Sequence, residues 1–165
     1  MTAGRVLVVG LGSPDRGDDA VGPAVAERLA ALGMDGVDVV TREDPTQLVQ
    51  LWAGHGAALV VDAVASGRSP GTLHIREVGD AGEPLPTHAF TAAGRGGSHA
   101  FGLAGAVELA RTLGTLPAHV TVVGVEARTF DFGPMSPEIQ EALDGAVATA
   151  SAELIALTEE MQSCA

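Results

Sequence analysis

Two hydrophobic rhythms alternate along the chain. Arg5–Gly10 (RVLVVG), Gly36–Thr41 (GVDVVT), Ala57–Asp62 (AALVVD) and Val120–Val125 (VTVVGV) are short valine-rich runs, which predicts strands, the first of them buried. Between them apolar residues recur at helical spacing. Val21, Val25, Leu29 and Leu32 lead to a stop at Gly33, and Leu48, Leu51 and Trp52 share a side of Thr46–Ala53. Leu103, Val107, Ala110 and Leu113 follow an opening at Ser98, and Ile139, Leu143, Val147 and Leu154 follow one at Ser136 or Pro137. Thr72–Val78 (TLHIREV) alternates and carries charges, as an edge strand does, and is expected to be antiparallel. From Gly79 to Gly97 the chain is rich in Gly, Pro, Thr and Ala, predicting a long surface loop of a kind that is uncommon and often functional. The order β-α-β-α-β-β-α-β-α, without repeat or linker, predicts one α/β domain over residues 1–165. It is a three-layer sandwich, with a mainly parallel five-stranded sheet between helices.

Composition narrows the function classes. With 165 residues, 46% of them hydrophobic, the chain supports one packed core and is not disordered. Nine arginines and no lysine face 21 acids, for a net charge of −12. That excludes the basic footprint of a nucleic-acid binder and disfavours anionic membranes. The acidity itself needs no more explanation than solubility. The lone Cys164, in a tail expected to fray, permits no internal disulfide and is a poor nucleophile. The first residues lack the pattern of a signal peptide, and no run approaches the ~20 apolar residues of a membrane span. A cytoplasmic protein is the expectation.

Parallel sheets place ligands beyond the carboxyl ends of their strands. Three loops qualify: Gly10–Asp19 (GLGSPDRGDD), the turn starting at Asp62, and Gly96–His99 (GGSH) at the head of a helix. The first is not a nucleotide loop. Asp15 stands where a dinucleotide fingerprint needs its third glycine, no Gly-Lys-Ser/Thr follows, and Asp18 and Asp19 would repel phosphate. One carboxylate suffices for a cap, so Asp18 is assigned to capping or loop bracing and Asp19 to the site. Asp62 ends an apolar strand, where a carboxylate is costly without a role; its ordinary role would be to cap the turn through Ser66 and Gly67. His99 follows Ser98, itself a good N-cap, while His55, His74 and His119 have no such placement and His88 is a spare. Asp19, Asp62 and His99 together offer two oxygens and one imidazole nitrogen with open positions, a pattern of reactive and not structural metal sites. Ser98-His99 is no serine-enzyme pair, because adjacent helical residues do not face each other and no Gly-x-Ser-x-Gly elbow occurs.

At these residues the chain resembles the nickel–iron hydrogenase maturation proteases. The resemblance runs through VLVVGLGSPDRGDDAVG (Val6–Gly22), LVVDAV (Leu59–Val64) with SPGTL (Ser69–Leu73), SHAFGL (Ser98–Leu103) and HVTVVGVE (His119–Glu126), in family order and spacing. It implies a twisted five-stranded sheet between helix layers, a monomer, and metal contacts at Asp19, Asp62 and His99, which would also be the catalytic residues. The implied activity is a single cut that removes a C-terminal peptide from a nickel-loaded hydrogenase large-subunit precursor. Nickel would then be a feature of the substrate and not a resident cofactor. Two departures stand out: Ser13 where the family usually has Asn, and Thr41–Pro45 (TREDP) where it often has Asp-Gly-Gly-Thr, a loop expected to bear on substrate choice. Two alternatives remain open, a non-catalytic metal-recognising assembly factor and another hydrolase on a similar scaffold.

Overall fold

The structure is a computed structural model that describes residues 4–80, 82–86 and 102–164. Its sheet has five strands in the order β2-β1-β3-β5-β4. Strands β1 (Val6–Leu11) and β3 (Ala57–Val64) are buried at every position, and β5 (His119–Glu126) at all but its first. Such continuous burial is what a parallel strand covered on both faces requires. The edges are β2 (Val37–Arg42), half-buried, and β4 (Leu73–Glu77), largely exposed. All pairings are parallel except β4 with β5, so the charged, alternating segment is the antiparallel edge strand expected.

Neighbouring strand residues feed different cores. Leu7, Val9, Ala58, Val60 and Val122 pack with Leu48 of α2 (Leu48–Leu51), with Trp52 just after it, and with Leu103, Val107 and Ala110 of α3 (Gly102–Leu113). Val6, Val8, Leu59, Val61 and Val123 pack under α1 (Val21–Ala30) and α4 (Pro137–Ser163). The result is the three-layer α/β sandwich. From β1 the chain leaves towards β2, and from β3 it leaves towards β4 and β5, so the strand order reverses between β1 and β3. Ligands of open α/β sheets bind at such switch points.

Helix α1 lies unusually close to the sheet. A Cβ on Gly10 would sit 2.5 Å from the Gly22 carbonyl oxygen and 2.6 Å from Ala26 Cβ, and one on Gly22 would strike the Leu11 and Val61 carbonyl oxygens. Two glycines thus set the helix directly against the carboxyl ends of β1 and β3. At the opposite edge, Arg5 donates to both Asp38 oxygens (2.7 and 2.9 Å), and His55 Nε2 lies 3.3 Å from Asp38. The Arg5 guanidinium, helped by His55, outweighs burial and holds the Asp38 carboxyl at about 2. His55 therefore belongs to a lock between strand starts, far from the carboxyl edge.

Some element ends differ from expectation. β3 runs two residues past Asp62, because Asp62–Val64 continue to pair with β5. The predicted Thr46–Ala53 helix is a 3-10 turn (Pro45–Gln47) followed by a single α turn, α2 (Leu48–Leu51), with Asp44 accepting from Thr46 N at the start. The C-terminal tail does not fray as expected: α4 continues for 27 residues, and exposed Cys164 is its C-cap. Val78, just before the predicted long loop, and Leu85 within it are buried in the α2/α3 core, and Arg111 of α3 donates to the carbonyls of Val78, Gly79 and Asp80. Residues 87–101, with His88, Ser98 and His99, lie outside the described residues.

Gly22→Ala should therefore destabilise the fold by roughly 1–3 kcal/mol, the ordinary cost of overpacking against backbone. A lower urea midpoint with an unchanged m-value would show it; an unchanged midpoint would mean that α1 can lift off the sheet freely.

Candidate active site

The β1–α1 loop is built by close approach. Gly12 has φ +140°, and a Cβ there would collide with the Asp19 carbonyl oxygen and lie 3.1 Å from its carboxylate. Asp19 sits in a 3-10 turn (Gly17–Ala20), fully buried, and its Oδ2 accepts the Ser13 N–H at 2.7 Å. That contact comes from the backbone, so the family's usual Asn is not needed for it. The Ser13 hydroxyl instead accepts from Asp15 N at 3.4 Å.

Asp18 faces the other way and is also fully buried. Its Oδ2 accepts from Arg128 N (2.7 Å), Thr129 N (3.0 Å) and the Ser136 hydroxyl (2.9 Å), and its Oδ1 from Ser136 N (2.7 Å). Its own N–H donates to Thr129 O. The bracing role assigned from sequence is thus observed, and it spans some 110 residues to the loop that leads into α4. The choice between the two neighbours follows from geometry: successive residues project in different directions, so one carboxylate ties down the β5–α4 loop and the other turns towards Gly12 and Ser13.

Asp62 is on the α2/α3 side of β3, in line with Ala58, Val60 and Val64, and only 4% exposed. It lies one residue beyond Val61, the last position paired with β1, at the strand-order switch. The 3-10 turn carrying Asp19 packs against β3, so Asp19 and the strand end that bears Asp62 meet at the same edge. The turn through Ser66 and Gly67 does not need Asp62 as its cap. Glu126, at the end of β5, accepts from Ser66 N and Oγ (both 2.7 Å), Gly67 N (2.9 Å) and Arg68 N (3.2 Å), and lies 2.9 Å from His74 Nε2. Burial pushes the Glu126 carboxyl up, but the Ser66 and His74 hydrogen bonds outweigh it and hold it below its ordinary 4.5. Sequence reading missed Glu126 and His74 as a pair. The available signal was an apolar strand ending in an acid, the same signal that marked Asp62.

Asp19 and Asp62 thus share an edge, and His99 lies outside the described residues. Among the described residues no group of three or more His, Cys, Asp or Glu side chains is placed to hold a metal ion. Beside the Asp19 loop runs a groove of about 400 Å³, lined by Gly12, Pro14, Thr41, Arg42, Glu43 and Gln47 among others. The departing Thr41–Pro45 loop forms one of its walls.

These features define an α/β protein with a carboxylate-bearing rim at its switch point, and known structures share that fold. The hydrogenase maturating endopeptidase HybD from E. coli is similar over 91% of each chain, at 24% identity and a TM-score of 0.72. A hydrogenase 2 maturation peptidase from a Thaumarchaeota archaeon is similar over 91% of this chain and 97% of its own, at 28% identity and a TM-score of 0.64. No curated protein sequence matches significantly. The family model for hydrogenase maturation protease matches residues 43–153, a stretch that includes Asp62 and His99. The chain belongs to the hydrogenase maturation protease family, and it is a processing endopeptidase. The family acts on hydrogenase large-subunit precursors. No helix among the described residues is long and apolar enough to cross a membrane.

Asp18→Ala should cost roughly 3 kcal/mol or more, since it strands buried donors. Asp19→Asn and Asp62→Asn, which keep side-chain shape, should cost about 1 kcal/mol or less. Urea titrations of the three variants would expose an inverted order. Glu126, whose folded carboxyl is held below 4.5, stabilises the protein fully above that value and loses its contribution as pH falls through it towards the lower folded value. Glu126→Gln should accordingly flatten the fall in thermal midpoint between about pH 5 and pH 3; parallel curves for both proteins would refute this linkage.

Proposed function

We propose that the protein removes a C-terminal peptide from a nickel-loaded hydrogenase large-subunit precursor, using Asp19, Asp62 and His99. The observation that carries this reading is the division among four buried acids at the carboxyl edge. Asp18 and Glu126 hold loops together through hydrogen bonds, whereas Asp19 and Asp62 sit at the switch point where this fold class places its chemistry.

The donor set suits a divalent transition metal: carboxylate oxygens with an imidazole nitrogen. Burial of both carboxylates strengthens their attraction for a cation. Nickel arrives as part of the precursor, where it supplies Lewis acidity towards the scissile carbonyl. Asp19, oriented by Ser13 N, and Asp62, fixed in β3, offer oxygens to that metal, and one of them takes the proton from the attacking water. His99 contributes its neutral ring nitrogen. Water adds across the amide bond, leaving a new carboxylate on the large subunit and a free amine on the released peptide. The precursor's chain runs along the groove beside Thr41–Asp44, so that loop selects among precursors. A cytoplasmic, monomeric, single-domain enzyme completes the proposal.

Incubating the protein with a large-subunit precursor, with and without nickel, and weighing the product tests it. Only the loaded precursor should lose a C-terminal peptide. Asp19→Asn, Asp62→Asn and His99→Ala should each slow the cut by at least ~100-fold while remaining folded by circular dichroism. Full processing by His99→Ala would remove that residue from the site, and equal cutting of nickel-free precursor would remove the metal.

A further inference from the structure

We infer that Arg16 and Phe132 form a docking point for the large-subunit precursor, one that sets where the substrate lies relative to Asp19. The inference rests on the protease reading above. Phe132 is 74% exposed, the most open of the large apolar side chains described. One face of its ring is covered by the Arg16 guanidinium, whose Cζ lies 4.1 Å from the ring centroid. The other face and the edge are open to a partner.

The pair stands on rigid ground, which separates it from an ordinary loop-tip aromatic. Gly17 N donates to Gly133 O and Gly133 N to Asp15 O, both at 3.0 Å, so the two loops are joined on either side of Arg16. The Asp18 carboxylate then ties the same two loops together from beneath. Stacking fixes the ring further. Ordering such side chains before binding lowers the entropic cost of association, and aromatic and arginine residues held this way are the usual hot spots of interfaces.

Its position names the occupant. Arg16 is three residues ahead of Asp19 in one continuous loop, so whatever grips Phe132 is placed in register with the catalytic carboxylate. Only the macromolecule being cut has reason to be held there. Its chemistry follows from the pair. An aliphatic or aromatic side chain fits the open ring face, and an acidic side chain beside it meets the Arg16 guanidinium. That guanidinium makes no ion pair among the described residues, although the chain carries a net charge of −12. Arginine can stack and donate to a carboxylate at once.

The test compares wild type, Phe132→Ala, Arg16→Ala and Arg16→Lys on nickel-loaded precursor, by rate of shortening against precursor concentration. Binding of the same precursor is measured by calorimetry in an Asp62→Asn background. Phe132→Ala should raise KM and Kd about tenfold while kcat stays within about twofold. Arg16→Ala should raise KM several-fold, an effect that shrinks with added salt, and Arg16→Lys should recover only part of it because it cannot stack as a plane. Unchanged KM and Kd in Phe132→Ala would overturn the inference, as would a fall confined to kcat. A wild-type dimer that Phe132→Ala splits without altering KM would give the surface to a second copy of this chain, which also overturns it. Wild-type protein that binds the precursor but never shortens it would defeat the protease reading and leave the docking result readable in Kd. Protein that neither binds nor cuts would defeat both.

Discussion

A carboxylate taken out of water must be answered by donors or by a cation, and at Asp18 the answer comes from a loop about 110 residues away. Three backbone N–H groups and the Ser136 hydroxyl converge on it. This single clamp joins the start of α1 to the start of α4, so the loops leaving β1 and β5 behave as one body. Charge-assisted hydrogen bonds are about twice as strong as neutral ones, and a buried clamp of four is well suited to hold a rim that carries no regular structure. Asp19 is the next residue along and inherits that rigidity. The Arg16–Phe132 pair inherits it too.

The rim also divides one residue type between two tasks. Glu126 does for the β3–β4 turn what Asp18 does for the β5–α4 loop, and each is surrounded by donors aimed at both oxygens. Asp19 and Asp62 are placed differently, against the close-packed glycine approach of α1 and at the last residues of a central strand. Bracing by one pair makes the positions of the other pair reproducible, which is the condition a catalytic constellation must satisfy.

Much of this was legible in the residues because the constraints are local. Valine-rich runs bounded by turns mark strands, although the one at Val37–Arg42 is a half-buried edge and not a central strand, and a charged alternating run can only be an edge. Asp18 and Asp19 could be told apart because adjacent side chains diverge. What could not be read was which acid closes which turn. LVVD and VGVE look alike, and only the pairing of β3 with β5, which sets Val64 opposite Glu126, places the glutamate next to Ser66 and Gly67. The ordinary role offered to Asp62 was therefore given to the wrong acid. The α2 region was over-read because the spacing of Leu48, Leu51 and Trp52 fits a longer helix, whereas Asp44 and Pro45 start a 3-10 turn followed by a single α turn. The extent of α4 was missed because its final turns are largely exposed and carry little apolar signal.

The glycines at positions 10 and 22 explain why the site takes the form of a rim. With no side chain at the Gly10–Gly22 contact between helix and sheet, α1 begins at the level of the strand ends, and the loop before it has no height in which to form a deep pocket. Asp19 is then held low against the sheet, near the end of β3 and beside a shallow groove. A small molecule would find little enclosure there, since ligand sites of that kind bury most of their occupant. A large folded substrate needs no such pocket, because its own surface excludes the water when it docks. The exposed Phe132 fits the same logic: an edge that must meet another protein gains its grip from fixed side chains around the chemistry, and this one fixes its grip and its carboxylate on two loops held together as one body.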